Sequence, residues 1–393
     1  MNIKSINANN LDFSTKNLQQ QNKIGVTNPN FETSSKNFDK SFEKYSKAQY
    51  TYFQGLNSVN FGGATTNFRI KKLEDVPCPC CGQVMLTDNS IDKHVNRLNK
   101  AKGDKLADRI YNEEAGILRS NQRAAAFIIA DCAKGTELSI TQAARKANEN
   151  LPNKFISYCK DVLMNAAILS DEQSGENSEL GQILFEKADK LEDAKSFYRP
   201  DLTEELSTFR SVIGDEKYNK IEDVLMTLPL NFKEVNRVMS EAQNLSPTEF
   251  AKLLLKPSLA TAEHIKPKSL GGENTPANFL SECAGCNNPR SSLPYVDWIK
   301  VHPEFTRNPQ TYIEHVEERI VNGELPQIYD SYPIDVKETL TNESQGHIKL
   351  TVLNKEKIQE LKEAKKNGQE VNISEETAKV KEEENSDQTE KNE

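Results

Sequence analysis

Two Cys-x-x-Cys pairs, Cys78-Pro-Cys80-Cys81 and Cys283-Ala-Gly-Cys286, stand 201 residues apart, and neither completes a metal site alone. Zinc held by thiolates takes four ligands in a tetrahedral set, so each pair is half of one. Twelve residues separate Cys81 from His94. No second histidine follows three to five residues later, so a locally closed zinc finger is excluded. Pooling the pairs makes Cys78, Cys81, Cys283 and Cys286 one structural Zn²⁺ centre, stapling an early hairpin to a late segment with everything between them looped out. Redox-active pairs or buried cysteines without a ligand are the competing chemistry. Cys80 could replace a ligand, although the x-x spacing favours Cys78 and Cys81. Gly82 tolerates the positive φ a knuckle turn needs, and Val84 to Leu86 can return as the second strand of the hairpin.

The looped-out part reads as helices. Apolar residues recur every three to four positions in Leu202-x-x-Glu-Leu-x-x-Phe-x-x-Val-Ile, as an amphipathic helix requires. Similar texture predicts helices over 106–115, 117–133, 140–151, 155–169, 180–198, 202–213, 218–228, 232–243 and 247–255. Ser139, Asp201 and the pair Ser246-Pro247 supply the start signals. Cys132 and Cys159 fall in these patterns as small core residues. Residues 1–65 are rich in Asn, Ser, Thr, Lys and Gln without a period, the texture of a disordered arm. A disordered acidic tail, solvated and partly helical, is expected over 354–393, where 12 acidic residues face 8 basic ones. The remaining divisions are a zinc-knuckle hairpin at 66–88, a helical insertion at 89–257, a small α+β core at 258–305, and a helix with short strands at 306–353. Within the last, Tyr332 to Leu353 offers strand-like runs such as His347-Ile-Lys-Leu-Thr-Val.

The late cysteine pair closes a longer pattern. Glu263-His264-Ile265-Lys266-Pro267 leads through Gly271-Gly272 to Asn278 and on to Cys283-Ala-Gly-Cys286-Asn287. Thirteen residues separate His264 from Asn278, and eight separate Asn278 from Asn287. This stretch resembles the HNH (His-Me finger) endonucleases whose ββα-metal motif is braced by a four-cysteine zinc, phage junction-resolving nucleases among them. The resemblance covers residues 76–87 and 260–300, with Glu263 where the family more often carries Asp. It implies that His264 is the general base that activates water, since an imidazole titrates near neutrality. It implies that Asn278 holds the loop and positions the histidine. Glu263 and Asn287 would bind a single hard divalent ion, Mg²⁺ or Mn²⁺, as oxygen ligands do. Arg290 falls where family members often carry a basic residue that meets a phosphate.

Substrate signals are sparser. Lys266 and Lys268 alternate with His264 and would share its strand face, beside the scissile phosphate. Lys93, Arg97 and Lys100 would line one face of a helix. The chain carries a net charge of −9, which argues against bulk attraction to nucleic acid while leaving room for a local basic groove. No apolar run approaches the roughly 18 residues of a membrane span, and Met-Asn-Ile-Lys-Ser-Ile-Asn lacks the apolar core of a signal peptide. The expectation is a cytoplasmic, mainly α protein with a small α+β module, export by a non-classical route being left open. The expected activity is hydrolysis of phosphodiester bonds in a nucleic-acid partner, DNA in preference to RNA. The alternatives are a non-catalytic, zinc-stabilised nucleic-acid- or protein-binding protein and a delivered nuclease toxin.

Overall fold

Leu86 is where the chain leaves a small sheet, and Leu259 is where it comes back. In the computed structural model, which describes residues 76–174, 178–306 and 308–390, these two residues form a parallel bridge. The Leu86 N–H donates to the Ser258 carbonyl at 2.8 Å, and the Ala260 N–H donates to the Leu86 carbonyl at 2.7 Å. Everything from 87 to 258 is therefore an excursion closed at its base. The expected arm over 1–65 and residues 66–75 of the expected hairpin lie outside the described residues.

Thr87 starts the excursion by capping α1 (Asp88–Lys100), its hydroxyl accepting from the Ser90 N–H. Helices follow in order: α2 (Gly103–Asp108), running on into a π-helical turn at Arg109–Glu114, α3 (Ser120–Ala133), α4 (Ile140–Asn148), α5 (Leu151–Ser174), α6 (Glu179–Lys190), α7 (Arg199–Ser207), α8 (Arg210–Ile213), α9 (Asp215–Leu225), α10 (Phe232–Ser240) and α11 (Pro247–Leu255). Capping boxes stand at Ser139 with Gln142 and at Ser246 with Glu249, so these two start signals act as their chemistry predicts. Their inward faces share one core that includes Ile129, Phe155, Leu184, Ile221, Val235 and Leu254. Expected helices break where a local feature wins. The one over 180–198 stops at Lys190, because Asp193 caps a separate 3₁₀ turn. The one over 202–213 starts earlier, at Arg199-Pro200, and is split before Arg210.

A second core holds the late segment. Strands β1 (Ala260–His264) and β2 (Phe279–Cys283) pair antiparallel, with His264 opposite Phe279 and Ala260 opposite Cys283. Helix α12 (Ala284–Arg290) follows β2 without a loop. Behind this hairpin and helix pack α13 (Tyr295–Val301), α14 (Asn308–Val321), α15 (Tyr332–Glu343), α16 (Lys355–Lys366) and α17 (Ile373–Glu390). Met85, Ile265, Phe279, Tyr312, Val316, Val336 and Leu340 are among the residues of this core. The described chain is thus mainly helical with one small two-stranded sheet. No described helix is long and apolar enough to cross a membrane.

Two expectations fail here, each for a packing reason. Residues 332–343 are a helix, and 346–353 run without a strand partner. Ile348, Leu350, Val352 and Leu353 are buried, but side chains replace the ladder. The Ile348 N–H donates to Ser344 Oγ at 3.1 Å, that of Thr351 to Gln310 Oε1 at 2.9 Å and that of Leu353 to Glu317 Oε1 at 2.8 Å. The apolar residues of this run report burial rather than a strand neighbour, and Thr351 is buried among them. The acidic tail, expected to be solvated, is instead packed on the second core, with helices from 355 to 366 and from 373 to 390. Asn354 caps α16, while Ile358, Leu361 and Ile373 bury themselves in the second core. Ser291 takes φ 51°, which separates α12 from α13.

Glu317 is fully buried, and its second oxygen, Oε2, lacks a hydrogen-bond partner. Burial pushes its carboxyl from 4.5 up to about 8. A folded-state pKa raised above the unfolded value means that the folded protein keeps a proton the unfolded chain has lost. The resulting stability is present below pH ~4.5 and is lost as pH rises through about 8. Glu317→Gln keeps the acceptor for Leu353 without the charge. Thermal unfolding of both proteins between about pH 5 and 9 should show the variant gaining on the wild type toward alkaline pH, by about 2–4 °C or more. Parallel curves would refute the assignment.

Candidate metal centre and adjoining polar site

The early hairpin prepares two sulfurs. Cys78 donates its N–H to the Gln83 carbonyl at 2.8 Å, and the Gly82 N–H returns to the Cys78 carbonyl at 2.8 Å, which curls the chain around Cys78 and Cys81. Gly82 sits at φ +70°, and a Cβ there would meet Asn308 Oδ1 at 3.0 Å. That asparagine in turn donates to the Cys80 carbonyl at 2.7 Å. Cys283 ends β2 and Cys286 lies one turn into α12, so the sheet register delivers the other two. The Cys283 N–H points at Cys78 Sγ, 3.4 Å away.

The four sulfurs of Cys78, Cys81, Cys283 and Cys286 lie within 4.8 Å of one another, and Cys81 and Cys283 are 4.0 Å apart. Four thiolates at the usual zinc–sulfur length define a tetrahedron with edges of about 3.8 Å. This cluster could therefore hold a metal ion such as zinc. Cys80 stands outside the set, its Sγ 3.6 Å from the Tyr295 hydroxyl. Cys132 and Cys159 are buried in the insert core, as expected. Burial pushes the Cys283 thiol up. At Cys78 burial acts in the same sense, but hydrogen bonds from Cys283 and Cys286 together with the Arg119 charge hold the group well below the ordinary thiol range. The ionisation steps of such a cluster belong to the set rather than to any one sulfur.

Two charged residues at this centre escaped the sequence reading. Arg119, in the insert, directs its guanidinium at Cys81 Sγ and at Cys286 Sγ, the latter at 2.8 Å. Glu282 is fully buried; burial followed by the Cys78 and Cys286 charges pushes its carboxyl well up, against a hydrogen bond from the Cys80 thiol. No motif marks either residue, since each acquires its neighbours only through folding.

The polar site begins where β1 ends. His264 is half-buried, its ring tilted on Phe279 with centroids 4.4 Å apart. Its Nε2 lies 2.9 Å from Asn274 Oδ1. With Nε2–H as the donor, Nδ1 keeps its lone pair. Asn274 is a further residue that sequence reasoning missed. Asn278, assigned to hold the loop and position the histidine, contacts the loop. The Lys266 N–H donates to its Oδ1 at 2.8 Å, and its Nδ2 donates to the carbonyls of Lys266 at 3.1 Å and Glu273 at 2.9 Å. Gly272 completes the clamp, because a Cβ there would run into the Lys266 carbonyl and the Asn278 amide.

Glu263 is 6% exposed, and its carboxylate pairs with Arg290, which is 0% exposed. The same guanidinium donates to the His264 carbonyl and, at 2.7 Å, to the Leu293 carbonyl. Arg290 therefore cannot meet a phosphate as expected; it is a core residue bracing the end of β1. The lysine expectation also changes. Strand β1 ends at His264, so Lys266 and Lys268 lie in the exposed loop beyond it rather than on the strand face of the histidine. Asn287, on α12, donates to Thr261 Oγ1 at 2.9 Å and to the Ala262 carbonyl at 3.4 Å, which ties the helix to β1 next to Glu263. On α1, Lys93 and Lys100 are exposed, whereas Arg97 pairs with Glu113 at 3.3 Å.

Fold and site together define a mainly helical protein whose late hairpin and helix are stapled to an early knuckle by four cysteines able to bind a metal. No family model, curated protein or solved structure compared with the chain matches it.

Proposed function

We propose that the chain is a metal-dependent HNH endonuclease that hydrolyses phosphodiester bonds of DNA. The observation that carries the reading is the convergence on one two-stranded hairpin and its following helix. His264 ends the first strand, Asn278 pins the connecting loop, and Asn287 follows Cys286 on the helix and binds back to β1. In this reading the staple is a structural zinc. His264, oriented by Asn274, takes the proton from the attacking water through Nδ1. The phosphate backbone is drawn in by the exposed Lys266 and Lys268 on a loop that cannot drift, because Asn278 and Gly272 fix it. Glu263, through the oxygen not engaged by Arg290, and Asn287 would hold a Mg²⁺ or Mn²⁺ ion, which would stabilise charge on the leaving oxygen.

Plasmid and branched-duplex cleavage with Mg²⁺ or Mn²⁺ tests this. His264→Ala should lower the rate by about 10²–10⁴-fold, with zinc content and circular dichroism unchanged. A wild-type protein inert on single-stranded, double-stranded and branched DNA, or an unimpaired His264→Ala variant, would sink the reading. One observation favours a second reading, in which the module binds nucleic acid or protein without cutting. Arg290 neutralises Glu263 from within the core, leaving less negative charge for a divalent ion. DNA binding that persists without cleavage in any divalent metal would select it.

A further inference from the structure

We infer that Arg119 is the counter-charge of the metal-loaded four-cysteine centre, so that the helical insert supplies part of that centre and is held in place by it. A divalent ion with four thiolates carries a formal charge of −2, and burying such a charge is costly unless a cation compensates. Cys78, Cys283 and Cys286 are buried. On one side of the sulfurs the buried Glu282 offers a second acidic group and no positive charge. On another, the Arg119 fork reaches two ligands at once, one from each half of the staple: Cys81 of the knuckle and Cys286 of α12.

The surroundings are fitted to that side chain. A Cβ on Gly285, between the late cysteines, would meet Arg119 Nε at 3.0 Å and the Pro257 carbonyl at 3.2 Å. The backbone of Arg119 belongs to the insert: it is the N-cap residue of α3, which buries Ala124, Ala125, Ile128 and Ile129 in the first core. Leu118, just before it, is buried there too. One side chain therefore joins the two cores at the metal. A lysine could supply the charge but not the planar fork that spans two sulfurs.

This inference rests on zinc filling the cluster and is independent of cleavage. The test uses the full chain as wild type, Arg119→Gln and Arg119→Lys, with zinc affinity read by competition against a chromophoric chelator. Arg119→Gln should bind zinc about 10–100-fold more weakly and Arg119→Lys should fall between, with helix content unchanged in both. Amide hydrogen exchange supplies the second readout. Stripping zinc from the wild type should speed exchange at residues 117–123, and Arg119→Gln should exchange there at the stripped rate even when loaded. Zinc affinity equal to wild type in Arg119→Gln would overturn the inference, and tighter binding would show that the arginine competes with the metal. Wild type without zinc would overturn this inference and the metal assignment together, whereas loaded wild type with an indifferent Arg119→Gln overturns this one alone.

Discussion

Cys283→Ala should strip the protein of zinc and melt the hairpin, α12 and the knuckle, while the helical insert stays folded. Structural zinc contributes on the order of 10–16 kcal/mol in small metal-folded units, comparable to or larger than the roughly 5–15 kcal/mol that holds a whole domain. Cys283 carries more than a ligand. It ends β2, its N–H faces Cys78 Sγ, and its strand partner is Ala260, so its loss uncouples the knuckle from the sheet. The insert has its own core around Phe155, Ile221 and Leu254, which does not depend on those sulfurs. Metal analysis should find about one zinc per chain in the wild type and almost none in the variant, with near-ultraviolet signals of Trp298 and the late tyrosines lost and most helical signal kept. Cys159→Ala, a buried cysteine in the insert, is the control and should keep its zinc. Full metal content in Cys283→Ala would refute the four-cysteine centre.

The second large effect belongs to Arg290. Arg290→Met should destabilise the protein by about 3–5 kcal/mol, because it leaves the Glu263 carboxylate buried without its cation. It also orphans the carbonyls of His264 and Leu293, which the guanidinium serves. Pairing the change with Glu263→Gln should recover much of the loss, since a neutral amide is far cheaper to bury than an unpaired charge. Denaturant unfolding of the two single variants and the double variant gives the coupling directly. Additive losses would show that the pair does not act as one. Arg290→Lys is expected to fare poorly too, because a single ammonium cannot serve a carboxylate and two carbonyls with the geometry of a guanidinium.

The two arginines mark the boundary of what was legible. Cys78, Cys81, Cys283 and Cys286 were readable from 201 residues apart because thiolate coordination demands four ligands and each pair offers two. Helices of the insert were readable because the 3.6-residue period and the caps at Ser139 and Ser246 act locally. Arg290 was misread as a phosphate ligand, since a basic residue in a sequence looks the same whether it faces solvent or a buried glutamate. Arg119 and Asn274 were not read at all, their partners lying far off in the chain or across a loop. The tail was misread for a related reason. Three apolar residues, Ile358, Leu361 and Ile373, are too few to predict a folded segment, yet enough to hold one once α14 offers a surface. At 346–353 the apolar residues are buried, but so is Thr351 between them, and no ladder forms.

By itself, then, the sequence determined the four-cysteine set, the helical character of the insert and most of the residues gathered at the end of β1, Asn274 excepted. Each follows from short-range rules or fixed coordination chemistry. The tertiary structure alone decided which of those residues are engaged. It sets Glu263 against Arg290, His264 against Asn274 and the four cysteines against Arg119. Such pairings depend on which side chains folding brings within a few ångströms, and charge burial makes them large enough to redefine the role of each residue.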